Sequence, residues 1–317
     1  MDDRDELMHE ASTLYYLQDE TMDAIGRHLG MSRSGVSRLL KVARERGMVR
    51  VQVRPPEDGG AVAGRVESLF GVRAHVVPVR TPLTDDLRLD NVARYAAQLV
   101  QGWFSHGMTL GLAWGTTTAA VSGHLIHTPI REATVVQLNG AANTSTSGLA
   151  YGSDLVSQFA RSFDAIPEHF PVPAFFDFAA TRALMWQERS VRYVLEVQAR
   201  ADLVVFGVGA LAAPVPSRVY TSGYLDQEDR VALASDGVVG DVCTVFLREN
   251  GTWEDVAINA RATGPTPRQL QKIRRRVCVA AGEAKIVPLR AALRAGTVTD
   301  LVIDEPTAIA LVRGTVR

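Results

Sequence analysis

Residues 21–41, TMDAIGRHLGMSRSGVSRLLK, constrain this chain more than any other stretch. Apolar residues fall at Ile25, Leu29, Met31, Val36, Leu39 and Leu40, the three-and-four spacing of one buried helical stripe. The run is interrupted at Gly30, a residue free to take the left-handed conformation that ends a helix. Ser32 follows as an N-cap, its hydroxyl placed to accept from the first amides of a second helix. Gly26 stands four residues before the break, where two crossing helices leave almost no room for a side chain. The spacing therefore predicts a helix, a tight turn and a second helix.

The polar remainder of that second helix points to DNA. With Ser32 as cap, Arg33, Ser34, Ser37, Arg38 and Lys41 share the face opposite the apolar stripe. A helix lying by its N-terminal half in the major groove presents such positions to base edges and phosphates. Arginine suits guanine, serine pairs with several bases, and the later Lys41 and Arg44 reach the backbone. Charge is sorted accordingly. Residues 24–54 hold Arg27, Arg33, Arg38, Lys41, Arg44, Arg46, Arg50 and Arg54 against Glu45 alone, whereas eight acids precede Ala24 with only Arg4 to oppose them. The net charge of the whole chain is −1, so any attraction to DNA is local to this segment. A first helix over residues 4–17, with Leu7, Ala11, Leu14 and Leu17 on one side, is expected to pack onto the motif. After Gly47 the alternating VRVQVRP reads as the strand of a wing. The expected organisation is a winged helix-turn-helix over residues 1–54, a Pro/Gly linker over 55–60, and an α/β domain over 61–317.

The second region alternates helices with short apolar strands, at 74–79, 108–113, 133–138, 203–208, 276–280 and 301–303. Their continuous Val/Leu/Ile character predicts a Rossmann-like parallel sheet covered on both faces. A helix over 84–104 is expected to bury Leu87, Val92, Tyr95, Ala96 and Leu99. Residues 242–247 and 253–258 read as a hairpin closed by Asn250-Gly251. The strand ends carry the candidate binding groups. In LGLAWGTTTAAV a strand runs into Gly115, and Thr116, Thr117 and Thr118 open a helix, a junction that offers amides and hydroxyls to an anion such as phosphate. Gln137, Asn139 and Gly140 end a second strand, and Gly207 and Gly209 a third. Asp241 offers a carboxylate to sugar hydroxyls. Lys285, one of three lysines with Lys41 and Lys272, stands where it can oppose a phosphate.

Other chemistry finds less support. Cys243 and Cys278 lie far apart in apolar runs, the pattern of packed thiols in a reducing compartment. His124 and His127 are three apart but have no carboxylate or cysteine at ligand spacing, so no metal or other cofactor is expected. Asp304-Glu305 before Pro306 reads as a helix start, and the Trp103 and Trp114 rings as core. The acidic N-terminus shows no signal peptide and no apolar run spans a membrane, which points to the cytoplasm.

The order helix-turn-helix, WGTTTAAV, VVQLNGA, PVPAFFD, ADLVVFGVGAL, GVVGDV, AAGEAK and DLVIDEPTA resembles the SorC/DeoR family of sugar-responsive bacterial transcriptional regulators over nearly the whole chain. The resemblance implies an effector domain folded like sugar-phosphate isomerases and deaminases, with Gly115–Thr118 and Lys285 around the effector's phosphate or equivalent polar end. It also implies tetramers built from dimers. Some members hold an aldehyde sugar through a lysine Schiff base after the VVQLNGA segment, but residues 142–163 contain no lysine here. The expected function is thus a repressor of a carbohydrate catabolic operon. It would bind an inverted-repeat operator in double-stranded DNA as a homo-dimer or tetramer, under control of a sugar, polyol or sugar phosphate. The alternative is a sugar-phosphate isomerase or deaminase with a DNA-binding appendage, for which Asp241 and Asp177 are the candidate bases. A third reading is a DNA-binding scaffold without effector.

Overall fold

The computed structural model describes residues 3–49, 60–79, 83–143, 149–211 and 217–314. The chain divides into two units, Met1–Pro56 and Glu57–Arg317. Of the expected wing strand and the linker over 55–60, all but Val49 and Gly60 fall outside the described residues, and Gly60 already belongs to a helix.

The first unit contains α1 (Asp3–Tyr16), α2 (Met22–His28) and α3 (Arg33–Glu45). Ala11, Ile25, Val36 and Leu40 form its core, with Leu14, Leu29, Met31 and Leu39 packed around them. Gly30 has a φ of 65°. The Ser32 hydroxyl accepts from the Gly35 amide at 3.2 Å, so turn and cap form as the sequence predicts. A Cβ on Gly26 would stand 2.7 Å from the Met31 carbonyl oxygen, a backbone atom that cannot yield. Leu17 departs from expectation: the helix has ended, Leu17 is 79% exposed, and fully buried Met8 contributes to the α1 face instead.

The second unit is built on seven parallel strands, β1 (Arg73–Val77), β2 (Thr109–Leu112), β3 (Thr134–Gln137), β4 (Ile166–Glu168), β5 (Leu203–Phe206), β9 (Arg275–Ala280) and β10 (Asp300–Asp304). A separate antiparallel sheet holds β6 (Val208–Ala210), β7 (Val238–Val242) and β8 (Val245–Arg248). The large sheet runs β1-β10-β9-β5-β2-β3-β4. Successive residues alternate between two cores, as a sheet covered on both faces requires. Leu110, Leu112, Leu203, Val205, Val277 and Val279 enter one core, which also takes Val92, Val121 and Phe159 from α5 (Asp85–Trp103), α6 (Thr116–Ser122) and α7 (Leu149–Phe163). Val204, Phe206, Cys278, Ala280, Leu301 and Ile303 enter the other, with Ala63 and Val66 of α4 (Gly60–Phe70) and Leu289 and Leu311 of the helices Ile286–Arg294 and Glu305–Arg313.

Two details correct the sequence reading of this unit. Leu87 is exposed rather than buried, because the first turn of α5 lines a cleft and the buried stripe starts at Val92. The hairpin forms one element earlier than expected. β7 pairs with β8 through Cys243 and Thr244, whose φ values of 52° and 68° suit a two-residue reversal. Residues 253–258 are no strand, because the side chain of Asn259 takes the place of a partner strand. Its Oδ1 accepts from the Phe246 amide at 2.8 Å, and its Nδ2 donates to the carbonyls of Phe246 and Trp253, each at 2.9 Å.

Candidate functional site

The strand order places a switch point between β2 and β5. From β2 the chain moves outward to β3 and β4; from β5 it moves the other way, to β9 and β10. Loops leaving the C-terminal ends of two such strands diverge and leave a crevice between them. A cleft of about 300 Å³ lies there, lined by Trp114, Gly115, Thr116 and Thr117 after β2 and by Gly207 after β5.

The passage from β5 to β6 organises the cleft. The run expected as one strand over 203–208 changes sheet at Gly207, and three successive residues each meet a polar group from elsewhere. A Cβ on Gly207 would come 2.8 Å from the Thr117 hydroxyl. The Val208 carbonyl accepts from the Lys285 ammonium at 2.9 Å. The space that a Cβ of Gly209 would need is filled by the Asp241 carboxylate. At about 3.3 Å of rise per residue, the three contacts lie along roughly 7 Å of backbone. Residues 117, 241 and 285 are therefore brought together by one short segment.

Their environments differ from water. Asp241 is buried, its Oδ1 accepting from the Tyr220 hydroxyl at 3.0 Å and its Oδ2 from the Thr244 amide at 3.1 Å. Burial pushes its carboxyl above the ordinary carboxylate value, against the pull of those two bonds and of the Lys285 charge. The same burial, with the Asp241 charge beside it, pushes the Tyr220 phenol well up. Lys285 is lowered by burial, which the charge of Asp241 partly offsets. Its ammonium also donates to the Ser217 hydroxyl at 3.1 Å. The turn that carries Lys285 is held from behind: the Gly282 amide donates to Asp304 Oδ2 at 3.1 Å and to the Thr307 hydroxyl at 2.9 Å, both side chains fully buried. Asp304 also caps the final helix, so the helix-start reading of Asp304-Glu305 holds.

Asn139 is the most telling lining residue. Its side chain is 1% exposed, and its Oδ1 is buried with no hydrogen-bond partner. An orphaned acceptor of this kind costs about 1–3 kcal/mol. Gln137, Thr118 and Gly140 stand behind the lining. Gln137 is buried, donating to the Asn139 carbonyl at 2.7 Å. The Thr118 hydroxyl donates to the Ala113 carbonyl at 2.7 Å. Gly140 receives the Trp114 indole N–H on its carbonyl at 2.7 Å and gives its amide to the Thr263 hydroxyl. Asp177 lines a separate hollow together with Asp226 and Arg261. Several lining residues escaped sequence reasoning: Asp85, Asp86, Ser217, Arg218 and Thr244. Asp85 and Asp86 look in sequence like ordinary first-turn acids of a helix, and nothing local marks the others. His124 and His127 pair with Asp90 and Asp164 at 2.6 and 2.9 Å, and no cluster with metal-binding composition occurs among the described residues.

In the first unit Ser32, Arg33, Ser34, Ser37, Arg38 and Lys41 are all exposed along α3. Their ion pairs are loose. Arg33 lies 4.0 Å from Asp23 and Lys41 lies 3.8 Å from Glu45, while Arg38 donates, among the described residues, to the Ser34 carbonyl within its own helix. Exposed pairs of this kind are worth about 0–1 kcal/mol, so the cations remain available to phosphates and bases.

Comparison with known proteins agrees with both halves. Residues 61–313 match the family described as "Putative sugar-binding domain", and residues 9–59 match the MarR family. The deoxyribonucleoside regulator of Bacillus subtilis (strain 168) is 31% identical, covering 98% of each chain. A solved domain of a possible sugar-binding transcriptional regulator from Arthrobacter aurescens TC1 is 43% identical over 82% of this chain and 100% of its own, with a TM-score of 0.75. The full-length sorbitol operon regulator SorC of Klebsiella pneumoniae shares the fold at 23% identity, covering 97% and 98% of the two chains with a TM-score of 0.78.

Proposed function

This chain belongs to the SorC/DeoR family of sugar-responsive transcriptional regulators, and we propose that it represses a carbohydrate catabolic operon under control of a small polyhydroxylated effector. It is a DNA-binding regulator with a sugar-binding domain, and not an enzyme. No described helix is long and apolar enough to cross a membrane, and we place the protein in the cytoplasm, where its operator is. The effector is a sugar, a polyol or a sugar phosphate held in the cleft between β2 and β5. One observation carries this assignment: Asn139 lines that cleft and its buried Oδ1 has no partner, so a hydroxyl of the effector, reached by a small turn of the side chain, supplies the missing donor. Asp241 accepts a second hydroxyl, while Thr116, Thr117 and the Gly207 and Gly209 backbone bound the ligand. Gln137, Thr118, Gly140 and the turn at Lys285 hold those groups in place.

DNA is read by α3. Arg33, Ser34, Ser37 and Arg38 face base edges, and Ser32 and Lys41 contact phosphates. The operator is an inverted repeat, bound by a homo-dimer or a tetramer built from two dimers, with recognition helices about 34 Å apart or a multiple of that. The effector acts only through its difference in affinity for the DNA-competent and incompetent states, typically a coupling of about 1–3 kcal/mol. The test is thermal unfolding of the full chain against sugars, polyols and their phosphates, followed by operator binding with and without each hit. A true effector at 100 times its Kd stabilises the protein by about 2.7 kcal/mol and changes operator affinity. Turnover of a bound sugar phosphate, or binding that survives Asp241→Asn unchanged, would overturn the assignment.

A further inference from the structure

The lining of the cleft is rich in hydrogen-bond acceptors. Asn139, whose buried Oδ1 has no partner, and Asp241 are among its lining residues. The first turn of α5 adds Asp85 and Asp86 to the same lining. Asp85 lies against the turn that carries Lys285. Gly282 there has a φ of 91°, and a Cβ built on it would stand 3.2 Å from both Cγ and Oδ1 of Asp85 and 3.4 Å from Oδ2. Three nearly equal distances mean that the carboxylate lies flat over the open face of Gly282, at the approach to residues 282–285. The cation expected to meet a phosphate there is already partly engaged, since Lys285 gives two of its three N–H bonds to the Val208 carbonyl and the Ser217 hydroxyl, both of the cleft lining.

Building on the cleft as the effector site, we propose that Asp85 excludes phosphorylated ligands and that the effector is an uncharged sugar or polyol. Hydroxyl groups donate to Asn139, Asp241 and Asp85 alike, whereas a phosphate dianion brought to the Gly282–Lys285 turn meets a fixed negative charge. Asp85 is thus a specificity-determining residue, and Asp86 adds to the same field from the neighbouring position.

The experiment titrates the full chain by calorimetry with inorganic phosphate and with matched pairs of C4–C6 aldoses or polyols and their monophosphates. Asp85→Asn and Asp85→Asn/Lys285→Gln are compared with the unaltered protein. The unaltered protein prefers the unphosphorylated member of each binding pair. Asp85→Asn, at an exposed position that leaves the core untouched, tightens inorganic phosphate about tenfold or more, the effect of removing a like charge at close range. The added Lys285→Gln cancels that gain, which locates the phosphate in this cleft. Phosphate affinity that is unchanged by Asp85→Asn, or absent in every variant, overturns the inference, as does a monophosphate that binds the unaltered protein better than its free sugar. In each of those cases binding of a polyol that is lost in Asp241→Asn leaves the cleft itself standing as the effector site. Polyol binding indifferent to Asp241 refutes the cleft as well.

Discussion

Replacing Asn139 by leucine separates a binding residue from a structural one. The two side chains share the same heavy-atom branching, leucine being the larger, and in the free protein Oδ1 is a buried acceptor without a donor. Removing such a group relieves a penalty of about 1–3 kcal/mol, offset in part by any bond the amide nitrogen makes. We expect Asn139→Leu to be as stable as the unaltered protein or about 1 kcal/mol more stable. For a unit of this size that is a rise of about 2–4 °C in Tm. Ligand binding moves the other way. A ligand at 100 times its Kd adds about 2.7 kcal/mol, a shift of roughly 5–11 °C; a hundredfold loss of affinity leaves about 0.4 kcal/mol at the same concentration, or roughly 1–2 °C. Differential scanning calorimetry of both proteins with and without the effector reads all four values. A variant that melts several degrees lower while keeping its full ligand shift would refute the reasoning, because Asn139 would then be holding the fold and not the ligand.

Three further outcomes follow from particular contacts. Gly209→Ala should cost about 3 kcal/mol, since the new methyl displaces the Asp241 carboxylate from its bonds with Tyr220 and Thr244; in an Asp241→Ala background the same change should cost under about 1 kcal/mol, and equal costs in urea unfolding would exclude the steric account. Burial opposes ionisation of Asp300, but bonds from His75 and Thr299 and the charge of Arg275 outweigh it and hold the carboxyl below 3.8. Its contribution is therefore present above about pH 4 and lost as the pH falls through the lowered value, so Asp300→Asn should destabilise at pH 7 and converge with the unaltered protein in acid melts. Arg38→Ala should lose about 1–3 kcal/mol on operator DNA and little on random DNA, whereas Lys41→Ala should weaken both and reduce the salt slope by about one; fluorescence anisotropy at several salt concentrations distinguishes them.

Most of the architecture is legible in the sequence because it is written locally. Gly30, Ser32 and Gly26 act within one turn of where they stand, and each performs the role its chemistry suggests. Parallel strands are equally readable, since burial on both faces leaves them continuously apolar. Residues that meet across long separations are harder. Asn250-Gly251 does form a turn, with Gly251 at a φ of 87°, but Asn259 denies the following segment a strand partner, and that substitution has no sequence signature. In the cleft, Thr117, Asn139, Asp241 and Lys285 are visible as polar residues at strand ends, whereas Asp85 looks like any acid in a helix's first turn. Its placement over Gly282 depends on a contact 197 positions away.

The β5–β6 passage also bears on how a ligand is felt elsewhere in this unit. β5 belongs to the large parallel sheet and β6 to the small antiparallel one, with Gly207 the single residue between them. Thr117 stands on the large sheet's side of that passage, and Asp241, on β7, stands on the other. A ligand that touches both ties the two sheets together at this passage. If they open separately in the free protein, saturation at 100 times Kd should slow exchange of amides in β7 and β8 by up to about a hundredfold, alongside those of β2 and β5. Hydrogen-exchange mass spectrometry on the full chain measures this by peptide. Protection confined to β2 and β5 would mean that the ligand rests on the large sheet alone and that Asp241 is a structural acid. Protection of both sheets, with β2 and β5 still protected but β7 and β8 not when Asp241→Asn is brought to saturation at higher ligand concentration, would make the Asp241 carboxylate the link through which the small sheet senses the effector.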